Sequence, residues 1–133
     1  MNAKPFLDTN ILVYAFASND PRSKLAEDLL AAGGVISIQV LNEFVNVSRR
    51  KLAREWVEIE DALSVLRTIL DPPIALTIEL HEAAIRLARD HRFPFYDSLI
   101  IAAAIRAGCS ILYSEDMQDG QTIDGVTVRN PFE

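Results

Sequence analysis

Four carboxylic acids, Asp8, Glu43, Asp97 and Asp116, lie against apolar runs, where a charge needs a reason. Phe6-Leu7 precedes Asp8, and Phe44-Val45 follows Glu43. Leu99-Ile100-Ile101 comes just after Asp97, and Ile111-Leu112-Tyr113 shortly before Asp116. They are far apart along the chain, so only a fold can gather them. Once gathered, like charges repel and raise one another's pKa until a cation relieves the strain. Oxygen ligands suit hard divalent cations, Mg2+ or Mn2+. Such an ion activates water and offsets the charge of a phosphodiester. The chemistry open to this quartet is metal-dependent phosphodiester hydrolysis.

Each acid also has a reading without chemistry. Asp8 before Thr9-Asn10 and Asp97 before Ser98 stand where a helix N-cap belongs. Glu43 fits the solvent edge of an amphipathic helix, and Asp116 fits a turn. None of these readings explains why all four fall at one end of the expected sheet.

The elements that must position them alternate. Lys4 to Leu7 reads as a short strand, after which Asp8-Thr9-Asn10 opens an apolar helix to about Ala17. Asp20-Pro21 is expected to start a second helix, with Asp20 as N-cap and Pro21 at the first helical position. Leu25, Leu29 and Leu30 give it helical spacing, and Gly33-Gly34 ends it. Val35 to Ile38 reads as a strand, and a helix from Gln39 runs to about Ala53. Trp56, Ile59, Leu63, Leu66 and Leu70 mark an amphipathic helix, which Asp71-Pro72-Pro73 stops. Ile74 to Ile78 is expected to be a strand and Glu79 to His91 a helix. Asp97 to Ala107 is apolar nearly all round, the mark of a buried helix. Ser110 to Tyr113 and Val126 to Val128 read as strands, with turns at Asp119-Gly120 and Asp124-Gly125. Strands alternating with helices define an α/β class with a central, mainly parallel sheet of four to five short strands. Ligands of such sheets bind beyond the carboxyl ends of the strands, which is where this order puts the acids.

Composition narrows the function. The 133 residues fit one domain, residues 1–133, and half are hydrophobic. No apolar stretch is long enough to span a membrane, the N-terminus lacks a secretory pattern, and Cys109 has no second cysteine to pair with. A cytoplasmic protein is expected. The net charge of −6 lacks the basic footprint of a general nucleic-acid binder, so RNA contact would need a local patch. Arg49, Arg50, Lys51 and Arg54 form the densest one. It serves equally as cations near a helix C-terminus or as a phosphate contact. Arg86, Arg89 and Arg92 read as a solvated stripe, and His81 and His91 lack metal-ligand spacing. Ile11, Leu12, Tyr14 and Phe16 exceed what one buried stripe needs. They, or the Trp56 to Leu70 segment, could form an interface or simply be core.

The ordered segments Phe6-Leu7-Asp8-Thr9-Asn10-Ile11-Leu12, Leu41-Asn42-Glu43-Phe44, Tyr96-Asp97-Ser98-Leu99-Ile100-Ile101-Ala102-Ala103-Ala104 and Leu112-Tyr113-Ser114-Glu115-Asp116-Met117 resemble those of PIN-domain ribonucleases. The closest likeness is to the VapC-like toxins of toxin–antitoxin pairs. Val128-Arg129-Asn130-Pro131-Phe132 resembles the family's last strand and tail, so the likeness spans the chain. Any one segment is a weak signal; the ordered set is strong. The resemblance implies a three-layer PIN-like fold and an endoribonuclease dependent on Mg2+ or Mn2+, with Asp8, Glu43 and Asp97 holding the catalytic cation. Asp116 matches the more variable fourth acid, with Asp119 near enough to assist and Glu115 adjacent. Ser114 matches a supporting hydroxyl, and Thr9 and Asn10 match positions shaping the loop after the first strand. The implied reaction leaves 5′-phosphate and 3′-hydroxyl ends. A homodimer and a cognate antitoxin that blocks the acidic site are the implied partners. The alternative is a non-catalytic PIN-like module that binds RNA or protein. A phosphotransfer receiver would want paired acids after the first strand and a late lysine. A dehalogenase-type phosphatase would want an Asp where Asn10 stands. No glycine-rich loop ends in Gly-Lys.

Overall fold

The computed structural model describes residues 3–133. Among them the elements run β1 (Phe6–Leu7), α1 (Thr9–Ala15), α2 (Ser23–Ala32), α3 (Ile38–Arg50), α4 (Trp56–Ile69), α5 (Ile78–His91), α6 (Phe95–Arg106), β2 (Ile111–Tyr113), β3 (Thr122–Ile123) and β4 (Val126–Arg129). The sheet order is β1-β2-β4-β3. β1 pairs with β2, and β2 with β4, in parallel, with Phe6 opposite Leu112 and Leu112 opposite Val128. β3 runs antiparallel to β4. Two isolated parallel bridges, Phe6 with Val35 and Ser37 with Ile74, extend the pairing beyond β1. This is the α/β, mainly parallel architecture expected from the alternation of elements.

β1 is buried on both faces, as a strand in a helix-covered parallel sheet is, while in β2 Leu112 is buried between the partly exposed Ile111 and Tyr113. Phe6, Leu7, Leu112 and Val128 have no exposed surface. α6 packs on α5 and also touches α3, β2 and β4. All its residues from Ser98 to Ala104 are buried, and Ala102-Ala103-Ala104 let its neighbours approach closely. Among the described residues no helix is long and apolar enough to cross a membrane.

Local chemistry moves several boundaries. Val35 and Ser37 each make only a bridge, and Ser37 turns directly into α3 by accepting the Val40 N–H at 3.2 Å. Ile74 likewise contributes one bridge rather than the strand expected through Ile78, which opens α5 behind the Thr77 cap. The helix expected from Asp20 begins at Ser23, because the Asp20 carboxylate accepts from the Arg22 backbone and guanidinium instead of capping a helix. α6 starts at Phe95, with Pro94 at the N-cap, so Asp97 lies inside its first turn. β3 was not expected. It pairs with β4 across Asp124-Gly125, where φ is 46° and 87°, the conformation a tight hairpin turn demands. Ile11 and Leu12 are fully buried core residues rather than interface.

Gly34 marks a close approach that bears on the site. A Cβ there would meet Leu7 Cδ1 at 2.8 Å and the Pro5 carbonyl oxygen at 3.2 Å. Leu7 is fully buried and immediately precedes Asp8. Gly34→Ala is therefore expected to cost roughly 1–3 kcal/mol, as overpacking does. Urea unfolding checks this, and an unchanged midpoint would show that Leu7 has room to move.

Candidate active site

Asp8 sits at the hinge between β1 and α1. Its N–H donates to the Tyr113 carbonyl at 3.0 Å, continuing the β1–β2 ladder. Its extended backbone makes it the α1 N-cap, and Oδ1 accepts the Thr9 N–H at 2.7 Å. Oδ2 accepts from Ser114 Oγ, also at 2.7 Å. So Asp8 is the α1 N-cap and is also tied, through Ser114, to the turn that carries Asp116. Its carboxyl is nearly inaccessible, and burial pushes its pKa up from 3.8 to about 6. The two hydrogen bonds oppose that rise, while the charges of Glu43 and Asp116 reinforce it.

Ser114 follows β2, and its N–H donates to the Arg129 carbonyl at 3.0 Å. It is fully buried, and besides donating to Asp8 its Oγ accepts the backbone N–H groups of Asp116 and Met117. One hydroxyl thus ties the Asp8 carboxylate to the turn carrying Asp116. Asn10, in the first turn of α1, clamps the same turn. Its Nδ2 donates to Asp116 Oδ2 at 3.1 Å, and its Oδ1 accepts the Glu115 N–H at 3.4 Å.

Glu43 lies on α3, where Val40 and Phe44 face the core and Glu43 takes the flank between core and solvent. Thr9 Oγ1 donates to its Oε1 at 2.9 Å and Gln39 Nε2 to its Oε2 at 3.0 Å. Asp97 is half-buried and makes no hydrogen bond or ion pair among the described residues. Its carboxyl is also pushed up, first by burial and then by the charges of Glu43 and Asp116. Asp8 and Asp97 therefore each feel the same two acids, and the fold gathers all four. Asp97 borders two concavities, of about 430 and 520 Å3, one shared with Asp116 and the other with Glu43.

No Lys, Arg or His pairs with any of the four acids among the described residues. The donor chemistry fits a hard divalent cation, being entirely oxygen. Glu43, Asp97 and Asp116 border the open concavities while Asp8 is buried; among the described residues no three Asp, Glu, His or Cys side chains are arranged to hold a metal ion. Asp119 is engaged elsewhere, its Oδ1 accepting the Asn130 N–H at 2.8 Å.

Two groups escaped the reading of the sequence. Gln39 is buried one turn before Glu43, and the i,i+4 spacing of an amide and an acid was the available signal. The second is a network behind Asp116. Arg22 bridges Glu115 at 3.0 Å, donates to the Tyr14 hydroxyl at 2.7 Å and lies over the Tyr14 ring, while Tyr14 donates to Glu115. The basic cluster is partly structural. Arg49 donates to the Arg54 carbonyl and lies over Trp56, and Arg54 donates to the Phe16 carbonyl. Arg50 and Lys51 are exposed at the end of α3, two turns beyond Glu43.

Thr9→Val keeps the shape at that position and removes the hydroxyl from Glu43. Groups that orient metal ligands are worth roughly 10–100-fold in metal affinity, so Mg2+ binding followed by thermal shift should weaken by that order. Unaltered affinity would show that Glu43 needs no orienting hydroxyl.

The fold defines an α/β domain with a mainly parallel sheet and a cluster of acids among its helices, and the family follows. The PIN domain family model matches residues 6–118, so the chain belongs to the PIN domain family. Among curated proteins, no sequence matches. Solved structures share its fold. One is VapC20 of Mycobacterium tuberculosis, described as a sarcin–ricin loop cleaving toxin, with a TM-score of 0.72 and 22% identity. That match covers 85% of this chain and 90% of that one. A toxin–antitoxin complex from Klebsiella pneumoniae matches with a TM-score of 0.72 and 22% identity, over 98% of this chain and 99% of that one. VapBC2 from Rickettsia felis, bound to a DNA fragment from its promoter, matches with a TM-score of 0.69 and 22% identity, over 94% and 96%.

Proposed function

We propose that the chain is a single-domain endoribonuclease dependent on a divalent cation, and the toxin of a toxin–antitoxin pair. One observation carries the reading: four carboxylates cluster, Asp8 and Asp97 have raised pKa and each feels the charges of Glu43 and Asp116, and none of the four has a cationic partner among the described residues. A structural cluster of acids would be neutralised by Lys or Arg; this one is left for a ligand. Membership of the PIN family and the toxin folds among its neighbours support the choice of reaction and of partner.

Asp8, Glu43, Asp97 and Asp116 would hold Mg2+ or Mn2+, which supplies an activated water and charge compensation at the phosphate. Ser114 and Thr9 keep the Asp8 and Glu43 oxygens pointed at the rim, and Asn10 holds Asp116. Asp119 supports the segment from outside by anchoring Asn130. Arg49, Arg50, Lys51 and Arg54 are the proposed contacts to RNA phosphates, with Arg50 and Lys51 the most exposed. The products carry 5′-phosphate and 3′-hydroxyl ends. A homodimer, a cognate antitoxin and a cytoplasmic setting complete the reading.

Mapping the 5′ ends of cellular RNA after induced expression tests it, with Asp8→Asn as control. New monophosphorylated 5′ ends that need Asp8 are expected. Identical end profiles from the two proteins would leave the binding-module alternative.

A further inference from the structure

The concavity that Asp97 and Asp116 share has a far wall whose residues the acids do not explain. That wall holds His91, Phe93, Gln118 and Gln121. The His91 and Phe93 rings are stacked, with centroids 5.1 Å apart and planes within 8°. Phe93 packs against the core while His91 is exposed, so the outer face of the imidazole is open to solvent. Gln118 and Gln121 lie in the segment between Asp116 and β3. Their backbones hydrogen-bond, but their side-chain amides have no partner among the described residues. At about 430 Å3 the concavity falls in the range of small-ligand pockets, roughly 300–1,000 Å3.

An open aromatic face beside two amides, each both donor and acceptor, is the equipment that recognises an unpaired base. A base also suits the electrostatics. It carries no charge, so it can lie beside Asp97 and Asp116 without the repulsion a phosphate or an acidic peptide would meet there.

We propose that this concavity is a nucleobase subsite: a single-stranded RNA base next to the scissile bond stacks on His91, backed by Phe93, and Gln118 and Gln121 read its edge. The proposal deepens the nuclease reading and rests on it for the identity of the strand. It makes His91, Gln118 and Gln121 determinants of sequence preference, with no part in the bond-breaking chemistry.

The test uses the full chain in two arms. In the first, short single-stranded RNAs differing only in base are titrated on to the Asp8→Asn protein, and the side-chain amide signals of Gln118 and Gln121 are followed by NMR. The signals should shift with RNA, and by an amount that depends on the base. In the second, His91→Ala and the double variant Gln118→Ala/Gln121→Ala are compared with the parent in cleavage. KM should rise about tenfold, the order expected for one stacked base. kcat should stay close to the parent's, and base preference at the position flanking the cut should relax. Equal thermal stability of the variants guards against misfolding. Cleavage with unchanged preference and KM, together with amide signals that ignore RNA, overturns the subsite and leaves the nuclease reading intact. Amide signals that shift by base, together with a parent protein (Asp8 intact) that cleaves no RNA, support the subsite and overturn the nuclease reading.

Discussion

Asp8→Asn is expected to reduce RNA cleavage by at least about a thousandfold while leaving the protein folded. A cation's stabilisation of transition-state charge is worth several kcal/mol, and each 1.36 kcal/mol is tenfold in rate. Asp8 is the most deeply buried of the four acids, so no neighbour can take its place. The fold should survive because Asn keeps the shape of Asp and an oxygen for the Thr9 N–H, while Ser114 Oγ still accepts the Asp116 and Met117 N–H groups. Removing a buried charge should even raise the melting temperature of the metal-free protein. Millimolar Mg2+ should stabilise the wild type, since binding only the native state adds about 2.7 kcal/mol at a hundredfold excess over Kd. It should do much less for the variant. Full activity in purified Asp8→Asn would sink the assignment of the site.

Metal-free protein should lose about 3 kcal/mol of stability from Asp8 alone as the pH rises from near 4 to above 6. The sign follows from the direction of the shift. The folded state holds the Asp8 proton up to a pKa of about 6, whereas an unfolded aspartate releases it near 3.8. Between these values the native state binds more protons, so stability falls with rising pH and the loss is complete above the folded pKa. The size is 1.36 kcal/mol for each pH unit of displacement. Asp97 adds a contribution of the same sign. Asp20 and Asp90, lowered by Arg22 and Arg89, act in the opposite sense, but Asp20 is partly and Asp90 largely open to solvent, and both contribute weakly. Urea unfolding in chelator across pH 4–8 checks the profile, and saturating Mg2+ should flatten it. Stability that climbs steadily through this range without metal would contradict the burial of an unpaired carboxylate at Asp8.

The four acids were legible because each breaks an apolar run, a conflict of local pattern that marks functional positions. α6 was legible for a related reason, since uninterrupted apolar sequence leaves a helix nowhere to go but the interior. Strands fared worse. Two-residue β3 shows no alternation to detect, although the turn after it is plain in Asp124-Gly125. Val35 to Ile38 carries strand-like residues, but Ser37 is also a good cap, and the cap won. Asp20 shows how an arginine two residues away can divert a carboxylate from a helix N-terminus. Choosing between Asp116 and Asp119 as neighbour of Asp8 required the tertiary structure: only coordinates show Asn10 holding one and Asn130 engaging the other. The same is true of Arg22 and Glu115, which are 93 residues apart.

The Ser114–Asp8 hydrogen bond joins residues 106 positions apart. During translation, β1 and its aspartate leave the ribosome long before β2 exists to receive them. Non-local parallel pairing of this kind is slow to form, and domains generally fold as units. An incomplete chain ending between Asp97 and Ile111 would thus carry three of the acids without the partner strand that aligns them. For the proposed ribonuclease, a nascent or truncated copy would be inert, and activity would begin only when the last strands have been made.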